Sequence, residues 1–167
     1  MKNYAIHYKT GEPIPQELVD KIKKAKNFNG GYAMSEIVEA AILDMMWHTV
    51  KSDDEFKPSD DFELAALMSN DVYFPPVPPR YHSPYFLHIW SNGYSAGYYA
   101  YLWSEMLDFD AYKWFESHGG MTRENGDRFR KYILSVGNSV DLNKTYEEFT
   151  GHKPTIDAML EEHGLKS

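Results

Sequence analysis

The sequence contains no cysteine. Disulfides, thiolate metal sites and a cysteine nucleophile are therefore excluded for these 167 residues. A reducing, intracellular location, taken to be the cytoplasm, is the default expectation. The first residues show no apolar run long enough for a signal peptide, and a stretch of about 18 apolar residues is absent. We therefore expect a soluble protein with no membrane partner.

Basic residues are in the minority, with 17 Lys and Arg against 25 Asp and Glu, and the formal net charge is -8. Proteins that bind nucleic acid use clustered positive charge to contact phosphates, so this balance argues against a nucleic-acid partner. Basic or neutral small ligands suit the chain better than polyanions.

No stretch alternates apolar and polar residues with the period of two that is typical of a half-buried strand. The chain is long enough for one domain over residues 1–167, and we predict that this domain is all-α. The proline-rich segment 74–79 is predicted to follow an extended path. Helices are predicted over residues 2–9, 15–26, 33–50, 60–69, 94–118, 141–149 and 154–160. The helix over 60–69 is expected to have Ser59 or Asp60 as its cap. One more helix is predicted to begin after the cap Thr122 and to end at the break at 137–139.

The most unusual stretch runs from His88 to Trp103, HIWSNGYSAGYYAYLW. If it is helical from Tyr94 onward, Tyr94, Tyr98 and Tyr101 stack on one face at i, i+4 and i+7. Such a ladder of phenols suits the wall of a cleft, and a tyrosine-rich core helix is the alternative. The opposite face is predicted to be the buried one, and it contains Tyr99, Leu102, Trp103, Met106 and Phe109.

Several motifs spread over almost the whole chain resemble the C-terminal part of one family of zinc metallopeptidases. They are HYKTGEPIP at 7–15, FNGGY at 28–32, LDMMWH at 43–48, DDFELAAL at 60–67, VPPRYHSPYFLHIWSNGYSAGYYAYLW at 77–103, GGMTRENGDRFRKYIL at 119–134 and FTGHKP at 149–154. The family is that of thimet oligopeptidase and the peptidyl-dipeptidases, and the chain is most similar to bacterial peptidyl-dipeptidases of the Dcp type.

The resemblance implies a multi-helix, neurolysin-like part of a zincin-type peptidase in which a deep channel holds the peptide. It implies that His88 and Tyr94 contact an oligopeptide substrate near the scissile bond, joined by Tyr101 and more weakly by Tyr98, with Gly93 in the same substrate-binding set. A phenol or imidazolium aimed at the carbonyl oxygen can stabilise the oxyanion of the transition state.

The zinc motif of that family is missing. Two histidines in HExxH and a glutamate from the next helix hold the metal there, but none of the seven histidines here is followed by Glu or has a second histidine at i+4. We therefore expect this chain to bind no metal, to be inactive alone, and to be a substrate-binding region whose zinc would lie in the upstream part of a complete enzyme.

Other candidate residues have simpler interpretations. Asp44 and His48, at i and i+4 on a buried helix, are too few for a metal site, and the aspartate is expected to orient the imidazole. Glu36 and Glu39 are predicted to lie on a solvated helix face. Surface or capping roles are predicted for the remaining histidines, His7, His82, His118, His152 and His163.

Two functional hypotheses follow. In the first, the chain is the C-terminal, substrate-binding region of a zinc peptidyl-dipeptidase. Its partners would be an oligopeptide and a missing N-terminal catalytic half, or a second copy of the chain that covers the same apolar surface. In the second, the chain is a free-standing helical protein that binds peptides through the tyrosine wall without cleaving them.

Overall fold

The computed structural model describes residues 4–53 and 57–166, which form eight α-helices and no regular strand. The all-α prediction is therefore confirmed. None of the helices in these ranges combines the length and apolar character needed to cross a membrane. The elements are α1 Gln16–Lys26, α2 Gly30–Trp47, α3 Ser59–Ser69, a 3-10 turn Ser83–Tyr85, α4 Leu87–Trp90, α5 Ala100–Ser117, α6 Arg123–Phe129, a π-helical turn Arg130–Leu134, α7 Leu142–Thr150 and α8 Asp157–Glu162.

The N-terminal segment folds back on itself, so the helix predicted over residues 2–9 is wrong where the structure describes it, from residue 4. The amide of His7 donates to the carbonyl of Glu12 at 2.8 Å, and the amide of Ile14 donates to that of Ala5 at 2.8 Å. Gly11 adopts a φ of 71° at the turn between them. So short a helix is marginal in isolation, and a glycine turn between two paired segments is the more stable arrangement. Residues 2 and 3 lie outside the described ranges.

One core surrounds α2. Its small residues Ala40 and Ala41 pack against Phe86, Ile89 and Tyr98, which come from the stretch around α4. These five side chains leave at most 7% of their surface exposed. Burial of two alanines allows the aromatic residues to approach the α2 backbone closely.

Trp47 at the end of α2 joins this core to α3. Its ring stacks on Phe62 with centroids 3.6 Å apart, and its Nε1 donates to Oγ of Ser83 at 2.7 Å. The indole N–H therefore has a partner although the ring is largely packed. This contact fixes the 3-10 turn against the two helices.

The second core lies in the C-terminal half. Trp114 and Phe115 of α5 pack on Phe149 of α7, and Phe129 of α6 packs against them. Leu134 was predicted to share this inner face but is 65% exposed. The α-helical hydrogen-bonding pattern gives way to a π-helical turn over residues 130–134, and the wider turn rotates the side chains after Phe129.

The position of α5 differs from the prediction in two ways. The helix begins at Ala100 instead of Tyr94, and the predicted apolar stripe is not the buried one. Tyr99 and Trp103 are 51% and 52% exposed. The buried face of α5 carries Asp110, Ala111, Trp114 and Phe115.

Local capping signals were only partly informative. Thr122 caps α6 as predicted, because its side chain accepts from the amide of Asn125. Neither Ser59 nor Asp60 caps α3, which follows Pro58 with no side-chain cap. The last helix begins at Asp157, three residues after Pro154.

Gly30, the first residue of α2, lies very close to His163, the residue that follows α8. A Cβ atom placed there would lie 2.4 Å from the carbonyl oxygen of His163. Only glycine allows this approach without movement of the backbone. The contact joins the start of α2 to the end of α8.

We expect Phe149→Ala to destabilise the fold by about 3–5 kcal/mol, because the side chain is fully buried and its loss leaves a cavity among aromatic rings. Urea denaturation followed by circular dichroism measures the change. Leu142→Ala on the same helix is the matched control, because Leu142 is 50% exposed. A similar free-energy loss in both variants would contradict this account of the second core.

Candidate functional site

The four rings singled out in the sequence lie together in the structure. We call His88, Tyr94, Tyr98 and Tyr101 the tyrosine cluster. The imidazole of His88 lies 5.8, 5.4 and 6.2 Å from the rings of Tyr94, Tyr98 and Tyr101 respectively, measured between centroids. Tyr94 and Tyr101 stack with centroids 5.1 Å apart and an interplanar angle of 12°.

The rings differ in how much of their surface is open. Tyr98 is 6% exposed and belongs to the core around α2, whereas Tyr94 and Tyr101 are 37% and 42% exposed. Nδ1 of His88 is buried and has no hydrogen-bond partner among the described residues. Tyr98 and His88 therefore form the inner side of the cluster, and the two stacked phenols, Tyr94 and Tyr101, form its outer side.

The pKa of Tyr101 is raised from 10.0 to about 12, first by a side-chain hydrogen bond with Tyr94 and then by burial. Burial is also the main cause that raises the pKa of Tyr98. Both phenols are therefore protonated at neutral pH and can donate a hydrogen bond. A hollow of about 480 Å³ lies beside Tyr101 and is also lined by Arg80 and Glu105.

A buried carboxylate on α2 holds the chain between α4 and α5 in place. Asp44 is fully buried. Its two oxygens accept hydrogen bonds from the backbone amides of Ala96, Gly97 and Tyr98, each at 2.9 Å. Charged hydrogen bonds of this kind are the strong ones in proteins. This interaction fixes the direction in which Tyr98 enters the core.

The same interaction explains why residues 94–99 are not helical, contrary to the prediction. The three amides point at Asp44, and Ala96 takes a left-handed φ of 51°. An amide that faces a side chain 52 to 54 residues away cannot join an α-helical ladder.

Gly93 lies in the same segment. A Cβ atom built there would meet nothing within 4 Å, and the residue is exposed. No close contact among the described residues requires glycine at this position. Its assignment to the substrate-binding set stays a prediction from the resemblance.

Asp44 also contacts His48, as predicted. Nδ1 of His48 lies 2.9 Å from Oδ1 of Asp44 and 2.8 Å from the carbonyl oxygen of the same residue. The aspartate therefore orients the imidazole while its main partners are the three amides. Sequence spacing indicated the first role and gave no sign of the second.

Glu39 contradicts the prediction of a solvated face. It is 1% exposed, and neither carboxylate oxygen has a hydrogen-bond partner among the described residues. Burial, and secondarily the charge of Glu36, raises the pKa of Glu39 from 4.5 to about 7. Its position on α2 faces α3 and the proline-rich segment, which no helical periodicity could reveal.

Three histidines pair with carboxylates that are distant in sequence. Nδ1 of His82 lies 2.7 Å from Glu63, and Nε2 of His163 lies 3.1 Å from Glu105. His152 lies 3.8 Å from Asp110. His118 caps the end of α5, where Nδ1 lies 2.8 Å from the carbonyl oxygen of Trp114. Only this last role follows from its position in the sequence.

Within residues 4–53 and 57–166, no three His, Cys, Asp or Glu side chains are grouped closely enough to hold a metal ion. Asp44, the best-placed carboxylate, already accepts three backbone hydrogen bonds. The described residues therefore do not fit the zinc site of the resembled family.

In the structure, His88 and the stacked pair Tyr94 and Tyr101 lie together beside an open hollow. A sequence model of peptidase family M3 matches residues 1–165. The chain belongs to peptidase family M3, and the resemblance inferred from the motifs is confirmed.

The chain can also be compared with individual proteins by sequence identity. The chain is 51% identical to dipeptidyl carboxypeptidase of Escherichia coli (strain K12), over 97% of the chain and 24% of that protein. It is 38% identical to oligopeptidase A of the same organism, over 96% and 23%, and 34% identical to saccharolysin of Saccharomyces cerevisiae, over 99% and 23%. The chain spans about a quarter of the length of these relatives.

We expect Asp44→Asn to destabilise the fold by roughly 2–4 kcal/mol, because an amide cannot accept from three N–H groups and turns its own NH₂ toward one of them. Urea denaturation measures the loss, and hydrogen exchange should show faster exchange at the amides of Ala96, Gly97 and Tyr98. Asp20→Asn on the exposed face of α1 is the control. Unchanged protection of the three amides would contradict the assigned role of Asp44.

The raised pKa of Glu39 predicts a pH dependence of stability. Between pH 4.5 and about 7 the folded state binds more protons than the unfolded state, so the free energy of unfolding falls as pH rises through this window. From pH 5 to pH 8 the contribution of this group is about 2–3 kcal/mol. We expect Glu39→Gln to remove that part of the slope and Glu17→Gln to leave it, as measured by urea denaturation at each pH. If the free energy of unfolding of Glu39→Gln depended on pH as that of the unchanged protein does, the Glu39 carboxyl would not be the group with the raised pKa.

Proposed function

We propose that this chain is the C-terminal, substrate-binding region of a zinc peptidyl-dipeptidase that hydrolyses oligopeptides in the cytoplasm. The tyrosine cluster holds extended peptide, and the metal chemistry belongs to residues outside these 167. Family membership and the similarity to a dipeptidyl carboxypeptidase support the class of reaction. The observation that carries the peptide-binding role is the stacked, outward-facing pair Tyr94 and Tyr101.

The geometry of the cluster suits an extended peptide. Tyr94 and Tyr101 share a side-chain hydrogen bond, so one of the pair's two hydroxyl groups is left to donate to a peptide carbonyl oxygen, which is an obligatory acceptor. The adjoining hollow is lined by Arg80, Glu105 and Asp108, so it offers charges of both signs to a peptide. In a complete enzyme a phenol near the scissile carbonyl would stabilise the developing oxyanion.

Exposed apolar side chains on α4 and at the start of α5 support the proposal of a macromolecular partner. Leu87, Trp90, Tyr99 and Trp103 are each between 50% and 62% exposed. Large exposed side chains concentrated on neighbouring elements are typical of a covered surface. We propose that the catalytic half of a longer polypeptide, or a second copy of this chain, packs there.

We expect Tyr101→Phe to weaken the binding of a labelled oligopeptide by roughly 3- to 10-fold, because the stacked pair loses one hydroxyl group and the hydrogen bond that orients the other. Fluorescence anisotropy with the 167-residue chain measures the dissociation constant. Tyr112→Phe is the matched control, because Tyr112 lies on the same helix and is 52% exposed. Equal affinity of the two variants for the peptide would contradict the proposal that the tyrosine cluster binds it.

Peptidase assays and metal analysis of the same preparation test the rest of the proposal. We expect no hydrolysis of oligopeptides and no stoichiometric zinc, because the HExxH motif is absent from these residues. Turnover accompanied by bound zinc would overturn the proposal that the metal chemistry lies elsewhere.

A further inference from the structure

A second cavity lies apart from the tyrosine cluster, between α2, α3 and the proline-rich segment. Its volume is about 620 Å³. The acidic side chains Glu39, Asp60 and Glu63 line it, and none of the described residues in its lining is Lys or Arg. Tyr73, Phe74 and Tyr85 belong to its lining and are 45%, 57% and 59% exposed. The cavity is therefore acidic within and aromatic at its edge.

The acidic groups differ in their partners. Glu63 accepts from the amide of Ser83 and lies 2.7 Å from Nδ1 of His82. Asp60 is exposed to water. Glu39 is 1% exposed and neither of its carboxylate oxygens has a hydrogen-bond partner among the described residues. Glu39 is thus the group with its full hydrogen-bonding capacity left for a ligand.

The chemistry of an unpartnered buried carboxylate selects a particular kind of ligand. Such a group is costly in a protein interior unless a cation or several donors reach it. A guanidinium group presents two parallel N–H donors that match both carboxylate oxygens, whereas an ammonium group is a point charge. Tyrosine and phenylalanine rings at the edge suit a planar cation, which stacks on aromatic faces.

We propose that this cavity binds the guanidinium group of an arginine side chain from a peptide ligand, with Glu39 as its bidentate partner. The proposal does not depend on the function proposed for the tyrosine cluster, because no residue of that cluster lines the cavity.

Titration of the 167-residue chain with Nα-acetyl-arginine amide, followed by ¹H–¹⁵N NMR, tests the proposal. We expect saturable shifts at residues 73–85 and around Glu39. The citrulline analogue has the same shape without the charge, and we expect it to bind at least tenfold more weakly. Equal binding of the two compounds, or shifts confined to residues 94–101, would overturn the proposal.

Two variants test whether Glu39 is the partner of the guanidinium group. We expect Glu39→Gln to weaken arginine amide binding at least tenfold, and Glu17→Gln, which removes the same charge from exposed α1, to leave it unchanged. Circular dichroism verifies that each variant is folded. A folded Glu39→Gln variant with unchanged affinity would contradict the role of Glu39, and the citrulline comparison decides the proposal if that variant does not fold.

The pH dependence of binding gives an independent readout. Because the pKa of Glu39 is about 7, its ionised fraction rises about tenfold from pH 6 to pH 8, and we expect affinity for arginine amide to rise in parallel. Other titratable groups around Glu39 set the background, which the Glu39→Gln variant measures. They are Glu36 on α2, Asp60 and Glu63 on α3, and Tyr73, His82 and Tyr85 after it. A rise of the same size in that variant would assign the pH dependence to those groups and overturn the proposal.

Discussion

The fold around the tyrosine cluster depends on one carboxylate that accepts hydrogen bonds from three consecutive backbone amides. Asp44 lies fully buried on α2, and the amides of Ala96, Gly97 and Tyr98 converge on its oxygens from the chain that precedes α5. An ionised acceptor in a water-poor interior holds such donors more strongly than another carbonyl would. Residues 94–99 therefore form a turn, and α5 begins only at Ala100.

This turn determines where the aromatic rings lie. Once the amide of Tyr98 is fixed, its ring enters the core against Phe86, and the left-handed Ala96 reverses the chain so that Tyr94 stacks on Tyr101. A helix continuing back to Tyr94 would place the same rings in register at successive turns. The turn instead brings Tyr94 and Tyr101 face to face, at 5.1 Å between centroids. The buried charge and the outward-facing phenols are thus two consequences of one interaction.

Local signals allowed part of this to be predicted from the sequence. The absence of period-two patterning predicted the helical class, and the Thr122 cap marked α6. Motif resemblance identified the residues of the tyrosine cluster, which spacing alone left open to a core interpretation. Contacts between distant residues were not predictable: the Asp44 hydrogen bonds span 52 to 54 residues, and the His163 to Glu105 pair spans 58. No local pattern records which amides a side chain will meet after folding.

The two buried carboxylates of α2, Asp44 and Glu39, differ in what compensates their burial. Asp44 and Glu39 are both at most 1% exposed, so each bears a comparable desolvation cost. Asp44 meets three amides and an imidazole, which offset that cost within the fold, whereas Glu39 meets no donor among the described residues. Stability alone would favour an apolar side chain at position 39, because replacing an uncompensated buried charge is usually stabilising. A cation supplied by a ligand accounts for a carboxylate at that position, because the compensation then arrives on binding.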